Sequence, residues 1–186
     1  TFSGTPANGD VDTLSIQVTA DDGNGGSIAD TFDIVVANPN DAPTVANAIA
    51  NQNATEDAAF NFQFAANTFA DADVGDTLTY SAQVAGGGAL PAWLGFDPAT
   101  RTFSGTPANG DVGVLDVRVT AKDGVNAEVS DTFTVTVTNV NDAPTLNAAL
   151  VDKTVAQVGP MNYQCACKRY ADIVVGDTLT YTATKA

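Results

Sequence analysis

The eleven-residue word Thr-Phe-Ser-Gly-Thr-Pro-Ala-Asn-Gly-Asp-Val occurs twice without a change, at residues 1–11 and 102–112, an offset of 101 residues. The offset persists well beyond the word. Residues 1–43 align without a gap on 102–144 with 26 of 43 positions identical, and residues 145–186 align on 44–85 with 16 of 42. A fixed period of this size marks a tandem array of whole domains rather than a solenoid of small repeats. It is also long enough for one small hydrophobic core. The chain therefore divides into 1–43, the C-terminal part of one repeat, 44–144, a complete repeat, and 145–186, the N-terminal part of a further, degenerate repeat. Because residue 1 falls inside a repeat, the chain reads as a piece of a longer array.

Within the repeat the apolar period is two. Leu14, Ile16, Val18 and Ala20 alternate with Ser15, Gln17 and Thr19, and Leu115, Val117, Val119 and Ala121 repeat the pattern. Phe32, Ile34 and Val36, then Phe133, Val135 and Val137, form a second such face, and Phe60, Phe62 and Phe64 a third. These runs predict strands. A further strand is expected near Val45–Ala50, and Leu90, Trp93, Leu94 and Phe96 make a compact apolar cluster for the base of the core. Each copy of the back part ends in Asn-x-Asn-Asp-Ala-Pro, at 38–43 and 139–144. Proline removes a backbone donor and stops the strand, so these six residues read as linkers between units. No run has helical periodicity. About seven short strands in ~100 residues predict an all-β fold of tandem immunoglobulin-like β-sandwiches.

The formal net charge is −15, from 22 acids, only two of them Glu, against seven bases. Short carboxylates set in loops suit a hard cation such as calcium, whereas surface helices would favour Glu. The acids crowd into residues 1–144, with 19 against 3 bases; residues 145–186 hold 3 against 4. No basic patch exists to neutralise phosphates, which excludes nucleic acid as a partner. His is absent, and the two thiols, Cys165 and Cys167, stand two apart on one expected strand face, too far for an unstrained bridge. Free thiols are expected there, because zinc would need two more soft ligands. No stretch is long and apolar enough to span a membrane. No nucleophile–base pair, phosphate loop or haem motif is present, so an enzyme is not expected. Asp10 and Asp111, with Asp30 and Asp131, recur between copies and read as turn and capping residues.

The run Asp71-Ala-Asp73-Val-Gly-Asp76-Thr-Leu-Thr-Tyr, then Leu90-Pro-Ala-Trp93-Leu-Gly-Phe96-Asp97, then Thr102-Phe-Ser-Gly-Thr-Pro, resembles the dystroglycan-type cadherin-like domain. So do Val119-Thr-Ala-Lys-Asp123-Gly and Asn141-Asp142-Ala-Pro. The resemblance covers the whole middle repeat and parts of both flanking pieces. It implies cadherin-like sandwiches with calcium (Ca2+) at the junctions of consecutive units. Carried over position by position, the first junction would use Asn38, Asn40 and Asp41 from the linker with Asp71, Asp73 and Asp123 from the complete repeat. The second would use Glu56, Asn139, Asn141, Asp142 and Asp172. Two departures stand out: Thr102-Phe-Ser-Gly stands where true cadherins have a Leu-Asp-Arg-Glu element, and Val174 replaces the second Asp of the Asp-x-Asp at the second junction.

The expected function is a calcium-binding extracellular repeat module, a stiffened spacer or adhesion element in a long surface or filament protein, bacterial in style. The alternative is a carbohydrate-binding accessory module of a secreted polysaccharide-degrading enzyme, with a polysaccharide or cell-surface ligand as partner. Adjacent repeats are the expected partners. The two incomplete units are completed either by covalent neighbours or by head-to-tail self-assembly.

Overall fold

The computed structural model describes residues 1–73, 75–152, 154, 169–172 and 178–184. The alternating runs become strands as the period of two requires. In chain order they are β1 (Thr13–Asp21), β2 (Ser27–Val35), β3 (Thr44–Val45), β4 (Gln52–Thr55), β5 (Phe60–Gln63), β6 (Phe69–Ala70) and β7 (Thr79–Val84). There follow β8 (Leu94–Asp97), β9 (Thr102–Gly105), β10 (Gly113–Lys122), β11 (Glu128–Thr138), β12 (Thr145–Leu146) and β13 (Tyr170–Ala171). The strand expected near Val45 is shorter than its apolar run: only Thr44 and Val45 pair, with β6, after which Ala46 and Asn47 both donate to the Thr68 carbonyl.

The complete repeat is a sandwich. One sheet runs β4-β11-β10-β7, and the other β5-β9-β8, with the short β3–β6 pair alongside. The pairing of β4 with β11 is parallel, and every other pairing is antiparallel. The inward residues of both sheets meet in one core of Phe60, Phe64, Leu94, Phe103, Val117, Val119, Phe133 and Val135. Phe103 and Phe133 sit edge to face across it, with ring centroids 5.5 Å apart. Trp93 packs against this core, edge-on to Phe60, as core tryptophans do. Where β8 and β9 cross Trp93, the backbones are very close: a Cβ at Gly105 would lie 1.7 Å from the Trp93 carbonyl oxygen. Only glycine fits there.

Helical geometry among the described residues includes two 3-10 turns, Asn8–Asp10 and Asn109–Asp111, both inside the repeated word. Three residues are too few to show a period. Each turn is closed by its own aspartate: Ala7 N–H donates to Asp10 and Ala108 N–H to Asp111, both at 2.9 Å. The recurring Asp131 ties Ile49 N–H at 2.6 Å, and Asp30 accepts from Thr31 N–H.

Repeat-related strands fold alike but are covered differently. β1 and β2 form a hairpin in continuous register from Thr13–Val35 to Asp21–Ser27, as β10 and β11 do. In the hairpin Val18 is 46% exposed and Phe32 42%; their counterparts Val119 and Phe133 are 0% and 1% exposed. β12 and β13 reproduce the β3–β6 pair. Cys165, Cys167 and Val174 lie outside the described residues.

Candidate metal centre

The two linkers are where the acids converge, because strand ends and turns from several elements meet there. At the first linker the 71–76 loop, the β10–β11 turn and residues 40–41 come together. Carboxylate oxygens of Asp71, Asp76 and Asp123 lie within 4.8 Å of one another. Two residues apart, Asp71 and Asp73 would point the same way in an extended segment, but the chain bends here and Asp73 N–H donates to Asp71 Oδ1 at 3.0 Å. Asp71 therefore faces Asp76 and Asp123, while Asp73, only 5% exposed, accepts the Asp41 N–H through Oδ2 at 2.8 Å. Asn40 donates its side-chain N–H to Asp123 Oδ2 at 3.0 Å. Asp123 Oδ1 takes Val125 and Ala127 N–H, which folds the turn about the carboxylate. Asn38 lines a small surface cleft with Asn8, Gly9 and Val11.

The charges are mutually strained. The Asp76 carboxyl is pushed above its ordinary value by loss of water and then by Asp71, Asp73 and Asp123. Asp123 is held below it, chiefly by the Asn40 carboxamide and then by the turn N–H groups, against some desolvation.

The second linker is met by the end of β4 and the second 3-10 turn. Oxygens of Glu56, Asp57 and Asp142 lie within 4.8 Å of one another. Glu56 is 2% exposed, and its Oε2 accepts Val140 N–H at 3.0 Å. Asp57 has φ +59°, a left-handed conformation that aspartate tolerates better than most residues. On a straight strand neighbours point to opposite faces; the reversed φ lets Glu56 and Asp57 serve one site. Asn141 donates to its neighbour's Asp142 carbonyl, as Asn40 does to Asp41. Asn139 is exposed on the linker, and Asp172, directly after β13, is not a member of the Glu56 group.

Three of these buried oxygens, Glu56 Oε1, Asp71 Oδ2 and Asp73 Oδ1, have no hydrogen-bond partner. A buried carboxylate oxygen left unpaired is costly, and all are hard donors of the kind calcium takes in sets of six to eight. The donor set thus fits a hard divalent cation. Asp57 and Asp76 were not among the residues expected from the motif. Their signals were present: the spacing Asp-x-Asp-x-x-Asp at 71–76, and the doubled acid at 56–57.

Residues 42–138 match the He_PIG family, described as "Putative Ig domain". No curated protein matches the chain. Among solved structures, extracellular cadherin domains 1–4 of protocadherin gamma B3 superpose with a TM-score of 0.56 at 19% identity, over 78% of this chain and 36% of that one. Domains 1–4 of protocadherin gamma B7 give 0.51 at 22% identity, over 79% and 37%. An endo-fucoidan hydrolase of glycoside hydrolase family 107 aligns over 74% of this chain and 20% of its own, at 21% identity and a TM-score of 0.46. The chain thus spans between a fifth and two fifths of these structures. The protocadherin likeness is one of fold, an Ig-like and cadherin-like sandwich, and with the family match over residues 42–138 it places the chain in the He_PIG family of Ig domains.

Proposed function

We propose that this chain is a calcium-binding module of the dystroglycan cadherin-like type, serving as a stiffened spacer or adhesion element outside the cell. The observation that carries this reading is the set of buried, unpartnered oxygens on Glu56, Asp71 and Asp73, each beside a linker. Without a cation the acids of adjoining units repel, and the linker is a hinge. A calcium ion would supply the missing partner to those oxygens and join linker, upstream and downstream groups. Asp71, Asp73, Asp76, Asp123 and Asp41 would hold it at the first junction, and Glu56, Asp57 and Asp142 at the second. The role asks for binding and rigidity, not for a catalytic step. It suits an environment of millimolar calcium, since extracellular modules bind at roughly 10⁻⁴–10⁻³ M.

The deciding experiment is a thermal melt and a calorimetric titration of the 186-residue chain with calcium chloride against EDTA. Stabilisation that saturates in the millimolar range is expected. An unchanged melting curve from zero to about ten millimolar calcium would defeat the reading.

A further inference from the structure

We infer that Asn8 and Asn109 are reversible clasps of the linker carboxylates, donors to them without metal and neutral oxygen ligands with it; this rests on the calcium reading above. Both asparagines sit in the unchanged word, each opening a 3-10 turn that its own aspartate closes. From that turn Asn8 Nδ2 donates to Asp41 Oδ2 at 2.7 Å. Asn109 Nδ2 faces Asp142 Oδ2 at 3.5 Å. The same contact, across 33 residues, is therefore made at both junctions.

At the second junction the clasped carboxylate itself adjoins a buried acid with a spare oxygen, and at the first the backbone of the clasped residue does. Asp73 accepts the Asp41 backbone N–H while its Oδ1 has no partner. Glu56 lies within 4.8 Å of Asp142, oxygen to oxygen, and its Oε1 has none. A cation drawn to those oxygens would meet the amino end of the carboxamide, which carries partial positive charge. A half-turn about Cβ–Cγ exchanges that end for Oδ1, an uncharged oxygen acceptor. Calcium accepts such side-chain carbonyls alongside carboxylates. No bond is made or broken; the amide simply presents its other face. A carboxylate in its place could not do both, since it would repel the linker acid whenever the metal left.

The test uses the full chain with calcium chloride, comparing Asn8→Asp, Asn109→Asp, Asn8→Ala and Asn109→Ala with wild type. Asn61→Asp, exposed on β5, adds the same charge away from the linkers. Each linker aspartate variant should melt lower in EDTA yet bind calcium about tenfold tighter, because affinity follows ligand charge. Each alanine variant should melt lower in EDTA and bind calcium more weakly, and Asn61→Asp should change neither. Calcium affinities of all four linker variants equal to that of Asn61→Asp would overturn the clasp while leaving the calcium reading intact. Wild type that takes up no calcium would remove both.

Discussion

Glu56→Gln should reverse its effect on stability between EDTA and calcium. Glu56 is 2% exposed; one oxygen accepts Val140 N–H and the other has no partner. Glutamine keeps the shape and the Val140 bond, deletes the charge, and turns an amino group toward Asp57 and Asp142. An unsatisfied buried polar group costs about 1–3 kcal/mol, so the metal-free variant should gain roughly 1–2 kcal/mol. For a unit of ~100 residues each kcal/mol moves the melting temperature by about 4–8 °C. With calcium at about a hundredfold above its dissociation constant, wild type gains about 2.7 kcal/mol. The variant, short of one charged ligand, should forfeit most of that. Differential scanning calorimetry of both proteins, in EDTA and in about 10 mM calcium, should therefore show two melting lines that cross. A variant less stable than wild type in both conditions would refute the reasoning, since the free oxygen would then be part of the fold rather than a waiting ligand.

Asp71→Ala or Asp73→Ala should abolish most of the calcium-induced rise in melting temperature, whereas Asp30→Ala, on β2 and bound to the Thr31 N–H, should retain it. Equal losses in all three melts would indicate diffuse screening of the −15 charge instead. Asp123 is held below its ordinary range mainly by Asn40, so that stabilisation is present above the unfolded carboxyl value, ~3.9, and disappears as pH falls through the lower folded value. Asn40→Ala should accordingly be less stable than wild type near pH 6 in EDTA, and urea midpoints should converge below about pH 3. Gly105→Ala should cost about 3 kcal/mol or more in urea unfolding, because the added methyl meets the Trp93 carbonyl rather than a movable side chain.

The alternation of Phe, Val and Ile was enough to read strands, sheet faces and core, because a period of two leaves one inward face. The asparagine-rich linkers were legible through their prolines. What escaped was direction. Asp71 and Asp73 share a strand face on paper, but a bend sends one to Asp76 and the other to the linker backbone. Asp57 reaches the Glu56 site only through a positive φ that no local pattern announced. The invariance of Asn8 and Asn109 was visible, but their target lies 33 residues on, beyond the reach of any motif.

The parallel pairing of β4 with β11 has a consequence in time. Gln52 pairs with Val135, 83 positions later, so a unit made from its N-terminus waits for nearly all its length before that ladder can close. Glu56 follows β4 at once and donates its N–H to the Thr138 carbonyl at the end of β11, the next rung beyond the ladder, while its Oε2 takes the Val140 N–H two residues past that strand. A half-synthesised or slipped unit thus lacks this buried acid at its exit. On the calcium reading proposed above, each finished repeat would offer a formed socket to the next, and an array would harden from its oldest end.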